Sequence, residues 1–83
     1  PQGWVAAASE SCVSVTGVAV TITWSVSSGS VPASRLLLDG VPVASGVAKV
    51  EWSGDGAAAS GVWVAEVQPV GAWSGTLSMA GCA

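Results

Sequence analysis

The chain has 83 residues and a formal net charge of −3, and it contains no His, Tyr or Phe. A chain this short folds as one small domain, so the sequence predicts a single domain over residues 1–83, with residues 1–10 as an N-terminal arm or edge strand. Its only basic residues are Arg35 and Lys49. Because phosphate binding needs a cluster of basic side chains, nucleic acid is excluded as a partner.

The composition favours association with other proteins. Charged residues make up 8% of the chain and apolar residues 51%, whereas an average soluble domain has about 25% charged residues. Low surface charge promotes association, and large exposed apolar patches mark binding surfaces. We therefore expect the partners to be other protein subunits, in a homo-oligomer or a larger assembly. Membrane insertion is not expected, since no run reaches the roughly 18 apolar residues of a spanning helix.

The first residue bears on where the protein is made. It is Pro, the kind of residue that remains when an initiator Met is removed, and no charged start followed by an apolar segment marks a signal peptide. We expect a complete product made in the cytoplasm. Signal cleavage or trimming would leave the same first residue.

In chain order, residues 4–8 form a weak strand candidate, and residues 18–26 form the clearest strand. In the latter, apolar residues at even positions alternate with small residues, most of them Ser or Thr, at odd positions, which is typical of a half-buried strand. Val13 and Val15 have the opposite phase. Gly17 is therefore predicted to be either a bulge or a tight connection between two strands.

Residues 35–43 carry the strongest local signal, a hairpin. Its Asp-Gly pair suits a two-residue type I′ turn, in which both central residues have positive φ. In that register Leu38 opposes Val41, and Leu36 opposes Val43, on one face.

Pro42 has no N–H to donate, which predicts either that its strand lies at a sheet edge or that the missing N–H points outward. Further strands are predicted over residues 48–52, 61–68 and 73–81. Both faces of the 61–68 strand are apolar, so it is either covered on both sides or awaits a partner. No helix is expected, because the Ala-rich stretch 57–59 is too short to nucleate one.

About seven or eight short strands separated by turn signals predict an all-β fold, a single antiparallel β-sandwich. The sequence Val-Thr-Ile-Thr-Trp at 20–24 resembles the Trp-bearing B strand of fibronectin type III and related immunoglobulin-like domains. Residues 36–43 resemble the hairpin that follows it. The resemblance covers residues 12–81 and implies an immunoglobulin-like sandwich.

The two cysteines, Cys12 and Cys82, fall in the polar phase of their segments, so both are expected on outer faces. They could meet if the first and last strands are neighbours, and closing a loop of about 70 residues would stabilise the fold by about 4 kcal/mol. A cytoplasmic product would keep its thiols reduced. A disulfide, free thiols, and metal ligation or redox chemistry therefore stay open at this point.

No catalytic residue, cofactor or metal site is predicted. The many serines have no His to act as a base, and Lys49 points outward from its strand. Asp39 and Asp55 each precede Gly, so turn formation explains them. Glu66 shares a strand face with two valines and is predicted to lie exposed at a strand end or at a subunit seam.

Five Trp residues make up the whole aromatic content. Trp24 and Trp52 lie in inner phases and are predicted to be core. The other three could be core, a protein interface or a carbohydrate platform, because Trp is enriched at interface hot spots. The candidate interface residues are Trp4, Trp63, Trp73 and Glu66.

These features together predict a non-enzymatic structural protein that docks on a larger protein assembly. The small size, the expected lack of a leader, the Val/Ala/Gly bias and the nearly neutral surface resemble decoration or minor structural proteins of tailed-phage capsids. That resemblance implies a virion location after synthesis in the host cytoplasm. The alternative is a secreted bacterial protein- or carbohydrate-binding module.

Overall fold

The computed structural model describes residues 3–83, which form seven strands and one short helix. In chain order the elements are β1 (Val5–Cys12), β2 (Ala19–Gly29), β3 (Ala33–Leu38), β4 (Val41–Gly46), β5 (Lys49–Asp55), α1 (Gly56–Ala59), β6 (Gly61–Gln68) and β7 (Trp73–Ala80). The strands form two antiparallel sheets, ordered β1-β6-β3-β4 and β5-β2-β7, which pack together. The predicted all-β sandwich is confirmed.

The core lies between the two sheets and follows the period-2 alternation. On β2, Val20, Ile22 and Trp24 are at most 1% exposed. Leu36 from β3 and Trp63 from β6 are 0% exposed in the opposing sheet. Each large apolar side chain buried in this way contributes about 1.5–3 kcal/mol of transfer free energy, so the alternation in the sequence fixes which face of β2 turns inward.

The β3–β4 hairpin has the predicted turn. Asp39 has φ 49° and Gly40 has φ 83°, both in the left-handed region that a type I′ turn requires. Leu38 pairs with Val41 beside the turn, as predicted. The Asp39 carboxylate also accepts a hydrogen bond from the backbone N–H of Val62 at 2.9 Å, which ties the turn to β6.

Further from the turn, the predicted register is wrong. Leu37 pairs with Pro42 and Leu36 pairs with Ala44, so Val43 is an extra residue on β4 rather than the partner of Leu36. Bulges of this kind occur mainly at sheet edges. β4 is the last strand of its sheet, which is one of the two arrangements that Pro42 predicted.

Gly17 lies in the connection between β1 and β2, which belong to different sheets, and has φ 91°. Its N–H donates to Asp55 Oδ1 at 2.8 Å, while Asp55 Oδ2 accepts from Ala57 N at 3.0 Å and caps α1.

The expectation of no helix is therefore wrong, although α1 has only four residues. Hydrogen bonds to residues distant in the sequence, at both ends of α1, stabilise a helix that its intrinsic helix propensity alone could not. Within residues 3–83, no helix is long enough to cross a membrane.

Cys12 and Cys82 form a disulfide with Cα atoms 5.0 Å apart. Cys12 is 1% exposed and Cys82 packs against the core, so the expectation of outer faces is wrong. For Cys12, that expectation took its phase from Val13 and Val15, which lie beyond the end of β1 and are each 63% exposed. For Cys82, it took its phase from Ser78 and Ala80, but β7 ends at Ala80 and Gly81 has φ 89°.

The inner strands have the neighbours that immunoglobulin-type domains have, with β2 beside β5 and β3 beside β6. The terminal strands are exchanged relative to those domains, because β1 lies beside β6 and β7 lies beside β2. The fourth strand lies beside β3 rather than beside β5. The disulfide consequently joins the end of β1 in one sheet to the residues after β7 in the other.

Candidate protein-interaction surface

The two faces of β6 have different environments. Trp63, Ala65 and Val67 point inward and are each 0% exposed. Val62 and Val64 point outward, and Val62 is 47% exposed. The strand with two apolar faces thus has one face in the core and the other on the outer surface of the four-stranded sheet.

One of the outward valines, Val64, belongs to a row that crosses three strands. Val64 on β6 is in register with Leu37 on β3, and Leu37 is in register with Pro42 on β4. Directly opposed residues share a sheet face, so these side chains lie side by side. Leu37 is only 8% exposed although it lies outside the main core cluster. We call Val62, Val64, Leu37 and Pro42 the outer apolar row.

An ion pair lies beside the outer apolar row on the same face. Arg35 on β3 is in register with Glu66 on β6, and Arg35 Nη2 and Nε lie 2.7 and 2.8 Å from Glu66 Oε1. The two side chains are 26% and 21% exposed. Because the charges balance each other, the pair leaves the centre of this face electrically neutral.

Trp4 covers part of the ion pair. The centroid of its ring lies 4.1 Å from Arg35 Cζ, a cation–π stack, and Trp4 is 36% exposed. The guanidinium therefore occupies one face of the indole ring. The segment before β1 places Trp4 over a strand two positions away in the sheet.

A surface depression of about 390 Å³ opens between this Trp and the edge strand β4. It is lined by Trp4, Arg35, Pro42, Val43, Ala44 and Ser45. The β4 bulge contributes Val43, which is 39% exposed. The depression is mainly apolar and its one charged group is already paired, so it suits an apolar side chain of a partner better than an ion.

The outer face of the three-stranded sheet is polar, whereas that of the four-stranded sheet carries an apolar row. Register places Ser and Thr side chains next to one another across β7, β2 and β5, and Thr21 Oγ1 lies 3.3 Å from Ser53 Oγ. The charged side chains among these rows are Lys49 and Glu51 on β5. The rows are Ala80–Thr21–Ser53, Ser78–Thr23–Glu51 and Thr76–Ser25–Lys49. We call this surface the hydroxyl face.

The structure separates the four candidate interface residues. Trp4 and Glu66 lie together on the outer face of the four-stranded sheet. Trp63 as an interface residue is wrong, because it is 0% exposed and its Nε1 donates to Ala59 O at 2.8 Å. On β6, whose two faces are both apolar, the face that carries Trp63 fills the interior. Trp73 is half-buried, with its ring 6.2 Å from that of Trp24 in an edge-on contact.

Sequence reasoning did not place Arg35, Leu37 and Val43 at this site. Arg35 and Leu37 do alternate with Leu36 and Leu38, but a run of three leucines gives no signal for which face turns outward. Val43 reaches the depression only because of the bulge.

The titratable groups are scattered. In residues 3–83, no three His, Cys, Asp or Glu side chains are grouped so that they could hold a metal ion. Asp39 has the predicted role at a turn, whereas Asp55 caps α1 at the end of β5 instead of forming a turn. What the surface offers is therefore contact area, with an apolar row, a neutralised ion pair and a depression on one face.

Comparisons with known proteins identify no relative of this chain. No family model, no curated protein and no solved structure matches it. A function for this chain must therefore be inferred from the chemistry of its surfaces.

Proposed function

We propose that this domain is a non-enzymatic structural module that docks on a larger protein assembly through the outer face of its four-stranded sheet, as a decoration or minor structural protein of a virion does. The observation that carries the proposal is the outer apolar row. Three of its four residues lie on β6 and β3, the two central strands of the sheet, whose other faces are already buried in the core. The hydroxyl face on the other side of the molecule carries no such row.

The size of this face supports many weak contacts rather than one strong contact. Four strands about 4.8 Å apart and about seven residues long cover roughly 450 Å² in plan. Two such partners would bury about 900 Å², which is below the 1,200–2,000 Å² of a typical stable interface. Copies of this domain that associate with one another would present several such faces together, and multivalency would then strengthen their binding to a repeating surface. A repeating coat surface is therefore the favoured partner.

The disulfide is compatible with this location. Disulfides persist in oxidising surroundings, which include virion surfaces as well as secreted proteins. The bond therefore supports an extracellular site of action, whether the domain is part of a virion or is secreted.

The test compares two double variants that make the same chemical change at different places. Val62→Thr/Val64→Thr alters the outer apolar row, and Val13→Thr/Val15→Thr alters exposed valines beyond β1. Thr keeps the β-branched shape that a strand favours, so both variants should fold. In sedimentation velocity we expect wild type and the Val13/Val15 control to associate as concentration rises, and the apolar-row variant to remain monomeric.

A second arm uses the genes that flank this coding sequence. If one encodes a coat protein, particles assembled from it should co-sediment with wild type and with the control, but not with the apolar-row variant. A chain that neither associates with itself nor binds such particles would refute the proposal.

A second candidate function is a secreted binding module for a protein or a carbohydrate. The observation that favours it is Trp4 beside the open depression. Because Arg35 already stacks on one face of the ring, a sugar could use only the other face. Titration of oligosaccharides by isothermal calorimetry, with Trp4→Ala as the control, would support this function if saturable binding disappears in the variant.

A further inference from the structure

We infer that this domain hardly lengthens when it is pulled from its two ends, because its disulfide diverts the force around most of the fold. This inference is independent of the docking function proposed above. It begins from the path of the chain. β1 runs from Val5, opposite Val67, to Cys12, opposite Gly61, along a molecule whose longest dimension is 40 Å.

The two ends of the chain leave the fold at opposite ends of the sandwich. β2 begins near the Cys12 end, and β7 runs antiparallel to β2 with Ala80 opposite Thr21 and Trp73 opposite Gly29. β7 therefore runs towards the same end of the molecule as β1. A force between the residues before β1 and the residue after Cys82 acts along the strands.

The disulfide shortens the loaded path. It joins residues separated by 70 positions, so only the eleven residues before Cys12 and the one after Cys82 lie outside the covalent loop. Force applied to β1 passes along its backbone to Cys12, crosses the Cys12–Cys82 bond, and continues into the residue after Cys82. Residues 13–81 carry none of it through their backbone.

The loaded segment is already close to its full length. A β-strand rises about 3.3 Å per residue, and a chain cannot exceed about 3.6 Å per residue. Even if β1 separated from β6, the oxidised domain would lengthen by about 10 Å or less. Without the disulfide, the enclosed residues would add roughly 230–250 Å.

The contacts of β1 resist that separation. Seven residue pairs join β1 to β6, so β1 stays in the sheet while the force passes along its backbone. At the entry end, Trp4 stacks on Arg35, which is itself bonded to Glu66 of β6. At the exit end, the N–H of Ala83 donates to Val13 O at 2.8 Å, just beyond the disulfide.

Single-molecule force spectroscopy tests this inference with the full chain held between marker domains of known length. The oxidised wild type should show no lengthening step above about 10 Å before the markers have unfolded. The same molecules pulled in reductant should show an additional step of roughly 230–250 Å, and so should Cys12→Ser/Cys82→Ser.

If the double variant does not fold, the comparison of oxidised and reduced wild type decides alone. A long step in the oxidised chain would overturn the inference, because the load would then pass through residues 13–81. Equal lengths for the oxidised and reduced chains would overturn it as well, since the disulfide would then not set the loaded path.

Discussion

Trp24 and Trp63 provide a matched test of how buried polar groups affect this fold. Both are 0% exposed, and each ring contacts one other Trp. Replacing either with Phe removes the same atoms, so the transfer and cavity costs are comparable. The difference lies in the indole N–H. That of Trp63 donates to Ala59 O at 2.8 Å, whereas that of Trp24 has no hydrogen-bond partner within residues 3–83.

The two substitutions should therefore have unequal effects. Trp63→Phe leaves the carbonyl of Ala59, itself 0% exposed, without this donor, which costs about 1–3 kcal/mol. Trp24→Phe removes an unpaired buried donor and should recover a similar amount. We expect Trp63→Phe to be less stable than Trp24→Phe by at least about 2 kcal/mol, or about 8–16 °C in Tm for a domain of this size.

Urea denaturation followed by near-UV circular dichroism measures the difference, with the slope m checked for equality between the variants. Four Trp residues remain in each variant to report the transition. Equal midpoints, or a lower midpoint for Trp24→Phe, would refute the reasoning from the indole N–H groups.

Two further predictions concern the local supports of the fold, and both are measured by the same denaturation. Gly75→Ala should cost about 1–3 kcal/mol, because a Cβ there would lie 2.5 Å from Trp24 Cη2. Gly71→Ala, where a Cβ would meet nothing within 4 Å, should change stability by less than about 0.5 kcal/mol, and equal costs would contradict the packing explanation. Asp55→Ala should cost about 1–2 kcal/mol, because it removes both the cap of α1 and the acceptor for the N–H of Gly17; unchanged stability would show that neither bond matters.

The sequence predicts most of the fold where one face of a strand differs clearly from the other. β2 is the best case, since polar and apolar residues alternate along it and the apolar set is buried. The Asp-Gly turn is equally predictable, because few residues other than Asp, Asn and Gly accept positive φ at low cost. These signals are local and need no knowledge of neighbouring strands.

The candidate surface could be predicted only in part, because its position depends on contacts between distant segments. On β6, valines on one face compete with Trp63, Ala65 and Val67 on the other, and period 2 cannot rank two apolar faces. The buried state of Cys12 was missed for a related reason. With Val so abundant, some valines must lie on the surface, and the exposed Val13 and Val15 gave a misleading phase.

The hydroxyl face has a consequence for behaviour in solution. Ser and Thr side chains bind water without carrying charge, so their hydration is not screened by salt and does not change with protonation across the usual pH range. With only two basic and five acidic residues in the chain, charge repulsion contributes little to keeping the molecules apart. The solubility that this sheet face provides should therefore vary little between low and high ionic strength, unlike that of a domain kept in solution by its net charge.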